Sequence, residues 1–76
     1  MTRDEFTKAV EENSKRVFLI ALSFTKNNQD AEDIMQNVFL ELWNCKITFE
    51  NGEHIAKWLT VVTSNESKNL LKYYQR

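Results

Sequence analysis

The chain has 76 residues with 10 Lys/Arg against 11 Asp/Glu, a net charge of -1; 42% of it is hydrophobic and 28% charged, the balance of a folded globular domain and not of a disordered tail. That length holds one small domain, which buries only about 60% of the surface its unfolded chain exposes. A single cysteine, Cys45, and a single histidine, His54, exclude an internal disulfide and a zinc site built from Cys and His. Proline is absent and glycine occurs once, at Gly52, too few turn residues for a sandwich or barrel, so the expectation is an all-α fold. No apolar run approaches the roughly 20 residues that span a bilayer, and the opening MTRDEFTKAV lacks the apolar stretch of a secretory signal. The expected setting is the cytoplasm, without membrane insertion.

The first block is expected from about Asp4 to Lys26, with Phe6, Val10, Val17, Ile20, Ala21 and Phe24 recurring at helical spacing. Asn13 and Ser14 interrupt the stripe and can divide it into two helices, because such side chains compete for backbone hydrogen bonds. A polar turn, Lys26 to Gln29, precedes a second helix that Asp30 is expected to cap, with Asp33 three residues on. That helix should reach Trp43 or Asn44. A loop from Cys45 to about Glu53 follows. A last helix from about His54 shows Ile55, Leu59, Val62, Leu70 and Tyr73 on one side.

Charge is divided along the chain. Residues 1–43 carry five Lys/Arg against eight Asp/Glu, a net of -3, and residues 44–76 carry five against three, a net of +2. The basic end is the one suited to a polyanion.

At about 100° per residue, Ala31, Ile34, Met35, Val38, Phe39 and Leu42 share one face of the second helix, its core side. Leu40 projects opposite, among Asp33, Gln36 and Asn37. It is either a stray surface leucine or the anchor of a helix docked in a partner's groove. On the last helix Lys57, Trp58, Val61, Asn65, Lys68, Lys72 and Arg76 share a second face. It is either an ordinary solvated face, with Trp58 wedged into the core, or a surface where cations meet phosphates and an aromatic or amide meets an unpaired base. Glu66 falls within the apolar stripe, where it can only snorkel at the rim. His54 has no Ser or Cys at triad spacing, and Asp30, Glu32 and Asp33 read as helix capping. No catalytic residue, metal ligand or cofactor site is expected, and Cys45 reads as a small loop or helix-end residue.

The string from Asp30 to Trp43, DAEDIMQNVFLELW, followed by Ile55-Ala56-Lys57-Trp58-Leu59 and then Asn65, resembles the region-two domain of bacterial sigma factors of the extracytoplasmic-function group. The resemblance covers nearly the whole chain and implies one region-two domain over residues 1–76, a compact bundle of three to four helices. It further implies that Asp33, Gln36, Asn37 and Leu40 dock on the clamp-helix coiled coil of the largest subunit of core RNA polymerase. The loop and last helix would then engage the single-stranded non-template strand of the promoter minus-ten element. A flipped base would be captured with Lys46, Thr48 and Phe49 on the loop side and Val62 and Asn65 on the helix side. Lys57, Lys68 and Lys72 would lie near phosphates, and an anti-sigma factor is implied as a further partner.

The family usually has an acid where Asn37 stands, Asp where Asn69 stands, and an arginine cluster where this chain reads Leu71-Lys72-Tyr73-Tyr74-Gln75-Arg76, a change that implies weaker DNA affinity. Such factors also carry a helix-turn-helix domain that 76 residues leave no room for, so the expectation is an excised domain or a truncation. Two other function classes remain open: a polymerase-binding relic without DNA recognition, and an unrelated helical interaction module.

Overall fold

The computed structural model describes residues 1–74, which form three helices joined by one short turn and one longer loop. The first, α1, runs Arg3–Thr25. Thr2 caps it through a reciprocal box: Glu5 N donates to Thr2 Oγ1 at 3.2 Å and Thr2 N donates to Glu5 Oε1 at 3.0 Å. The Thr2 N–H lowers the Glu5 carboxyl below its ordinary range. At the other end Lys26 adopts the left-handed conformation (φ 54°), and its N–H returns to Leu22 O at 2.8 Å, closing the helix as a C-terminal αL residue does.

Asn13 and Ser14 do not divide the segment, which is one helix. Asn13 is buried, its Nδ2 donates to Ala9 O at 2.8 Å, and its Oδ1 accepts from Arg16 Nη2 at 2.9 Å. With its side chain satisfied along its own helix, Asn13 does not compete for the backbone of the next turn.

The second helix, α2, spans Asn28–Asn44. Its cap is Asn27, not Asp30: Asn27 has extended backbone and its Oδ1 accepts from Asp30 N at 3.0 Å. Asp30 instead sits inside the first turn, where its charge favours the exposed amides. The third helix, α3, spans Gly52–Tyr74, starting before the expected His54. Asn51 Oδ1 accepts from His54 N at 2.9 Å and Asn51 O from Ile55 N at 3.3 Å, so an amide again opens the helix. Gly52 lies within α3 with no positive φ and open space around it; no turn demands its glycine.

The core is built as the α2 periodicity requires: Ala31, Ile34, Val38, Phe39 and Leu42 are buried, with Met35 packed against them. They meet Ala9, Val17 and Ala21 of α1, which packs on both other helices, and Leu59 of α3. Fully buried side chains such as Leu42 and Leu59 contribute about 1.5–3 kcal/mol each.

The innermost line of α3 differs from the expected stripe. It is Leu59, Thr63 and Ser67, all fully buried, while Ile55, Val62 and Leu70 flank it and Tyr73 is 73% exposed. Thr63 Oγ1 donates to Leu59 O at 2.6 Å and Ser67 Oγ to Thr63 O at 2.8 Å. Each hydroxyl is thereby satisfied within its own helix, and the small side chains leave room for the neighbouring helices.

Candidate functional site

Two surfaces carry the residues singled out above. The first is the outer crest of α2. Successive turns put Asp33, Gln36, Asn37 and Leu40 on the side away from the core, all four are exposed, and Leu40 is 59% exposed. Asp33 Oδ1 accepts from Gln29 at 3.4 Å, a long contact that leaves its carboxylate available to a partner.

Grooves flank this crest on both sides. Toward α1, Gln36 borders a groove floored by Phe18 and Met35, with Lys15 and Glu32 at its edges. Toward α3, Asn37 and Leu40 border a notch with Glu41, Asn44 and Glu66. Glu66 thus does meet the rim of the apolar stripe, but it faces another acid. Glu41 is exposed, and its hydrogen bond with Glu66 pushes its carboxyl up to about 7, helped by desolvation and by the repulsion of the Glu66 charge. This pairing is invisible along the sequence because the two residues come from different helices.

The second surface is formed by the loop between α2 and α3 and by the outer face of α3. Phe49 is folded inward: its ring meets His54 edge-on at 5.0 Å and Trp58 at 5.9 Å, and it packs on the core. Glu50 N donates to His54 Nδ1 at 3.2 Å, pinning the loop to the first turn of α3. Trp58 is half-buried in the same cluster; it wedges against the core and anchors the loop instead of standing out as a stacking platform.

Thr48 and Phe49 line a groove of about 690 Å³. Its opposite wall is α1, with Glu5, Lys8, Ala9, Glu12 and Asn13. Nothing in the sequence pattern signals that contribution, because it depends on how α1 lies across the loop.

Val62 and Asn65 do not line this groove. Val62 packs on the core and Asn65 is exposed farther along α3. Lys46 is exposed at the start of the loop, and Lys68 and Lys72 are exposed beyond Asn65. Lys57 pairs with Glu53 at 3.4 Å with both side chains 75% exposed, a contact too solvated to hold its charge from a phosphate. Arg76 lies outside the described residues.

The family model for sigma-70 region 2 matches residues 9–76, from the second turn of α1 onward. The chain belongs to the sigma-70 region 2 family. Comparison with curated proteins and with solved structures gives no match. A sigma-70 region 2 domain binds RNA polymerase and recognises the promoter minus-ten element. Among the described residues, no group of three or more His, Cys, Asp or Glu is placed to hold a metal ion, and no helix is long and apolar enough to cross a membrane.

Proposed function

We propose that this sigma-70 region 2 domain is of the extracytoplasmic-function group and works in the bacterial cytoplasm. Its α2 crest docks on the clamp helices of the polymerase largest subunit, and its loop and α3 capture a flipped base of the non-template strand. The observation that carries the reading is the crest itself: Leu40 stands 59% exposed with Asp33, Gln36 and Asn37 around it. A central apolar anchor ringed by polar groups is the form in which a helix surface stores binding energy and register.

Thr48 and Phe49 offer the captured base an apolar floor and a hydroxyl. Asn65 offers an amide to a base edge, Val62 an apolar contact beside it, Lys46 stands on the loop side, and Lys57, Lys68 and Lys72 offer cations to phosphates. Binding free energy gained on the unpaired strand offsets the cost of unstacking. Val62 and Asn65 are assigned to the helix side of the capture site. An anti-sigma factor that covers the α2 crest would block docking.

Titration of the domain with an isolated clamp-helix fragment tests the docking reading; saturable binding supports it and no binding removes it. A polymerase-docking domain without DNA recognition is the second reading, favoured by the inward fold of Phe49 and Trp58. Titration with single-stranded minus-ten oligonucleotides at low salt separates the two.

A further inference from the structure

Among the described residues, the notch between α2 and α3 is lined by two carboxyls and no cation. Glu41 comes from α2 and Glu66 from α3, and only Asn37, Leu40 and Asn44 complete its lining. Residues one turn away on either helix are Asn37, Val38, Asn44 and Cys45 around Glu41, and Val62, Thr63, Asn69 and Leu70 around Glu66. None is charged, so neither acid has a basic partner on its own helix. From α1, the other element packed against both helices, no charged side chain lines the notch. Two carboxyls brought into one notch repel when both are ionised and attract when one keeps its proton and donates it to the other.

We infer that Glu41 and Glu66 form a proton-dependent clasp: one shared proton ties the C-terminal half of α2 to α3 at mildly acidic pH, and its loss in alkaline solution loosens that seam. Asn37 and Leu40 line the same notch, so the clasp acts directly beneath the exposed crest of α2. The inference stands independently of what that crest binds. The Glu41 carboxyl is held up at about 7 against an ordinary 4.5, first by its hydrogen bond with Glu66. Because the folded value is the higher one, the stabilising contribution is complete below 4.5, declines as pH rises, and is gone above about 7.

The test is a carbon-detected NMR titration of the glutamate carboxyls in the intact chain, together with thermal melts at about pH 5 and about pH 8 of the chain, Glu41→Gln and Glu66→Gln. One carboxyl of the pair should titrate near neutrality, and Glu66→Gln should return Glu41 to its ordinary range. The wild-type melting temperature should fall between the two pH values by more than that of either variant, because contributions shared by all three chains cancel in the comparison. The inference is overturned if both carboxyls titrate in the ordinary range, or if the glutamine variants keep the wild-type pH dependence. Should a variant fail to fold, the wild-type carboxyl titration decides alone.

Discussion

Arg16 of α1 donates from Nη1 to Thr60 Oγ1 of α3 at 3.0 Å, while its Nη2 reaches Ala56 O at 3.0 Å and Asn13 Oδ1 at 2.9 Å. One guanidinium thus joins two helices and satisfies a buried amide. The planar fork explains why arginine suits the position, since a lysine offers a point charge and cannot serve three acceptors in that geometry.

Arg16→Ala should therefore destabilise the domain by about 1–3 kcal/mol, because Asn13 Oδ1 is left buried without a donor. Arg16→Lys should recover only part of the loss, and Thr60→Val, which removes one acceptor, should cost less than Arg16→Ala. Urea denaturation followed by circular dichroism checks the order; an Arg16→Ala domain as stable as wild type contradicts it.

The capping box makes a second prediction. Glu5 accepts the Thr2 N–H, which lowers its carboxyl, so its contribution is present above the ordinary value of 4.5 and is lost as pH falls through the lower folded value. Thr2→Ala should lower the melting temperature at neutral pH and narrow the gap to wild type in acid. A gap that widens in acid would show that the Glu5 charge is not what the box stabilises.

Binding to single-stranded DNA should divide along α3. With Lys57, Lys68 and Lys72 exposed, the log–log salt slope should be shallow, on the order of -2, at about 0.7 per phosphate on single strands. Lys68→Ala with Lys72→Ala should flatten it by about 1–1.5 and weaken all sequences alike. Asn65→Ala should leave the slope intact and erase preference at one base, since an amide reads an edge and releases no counterion. Anisotropy titrations across a salt series check this, and a changed preference in the lysine variant would contradict it.

Much of the fold was legible in local pattern. The core face of α2 from Ala31 to Leu42 and the exposure of Leu40 follow from helical periodicity alone. Misreadings came where a short polar side chain had two options. Asn13 could break a helix or hydrogen-bond along it, and the choice depended on Arg16 and on α3, residues distant in sequence. Asn27 and Asp30 are both good caps, and only the backbone shows which one is extended. In the candidate site, the crest of α2 lies on one helix and could be read from it. The loop groove and the Glu41–Glu66 notch are assembled across helices, and no spacing within one element encodes them.

The most direct test of the docking account is a pull-down of core RNA polymerase by the purified domain, wild type against Leu40→Asp combined with Gln36→Ala. Interface anchors cost about 2 kcal/mol or more when removed, whereas exposed positions change stability by only about 0.5 kcal/mol. The account predicts that wild type retains polymerase and the double variant does not, with unchanged helical circular dichroism and melting temperature. A double variant that folds normally and still retains polymerase like wild type would contradict it.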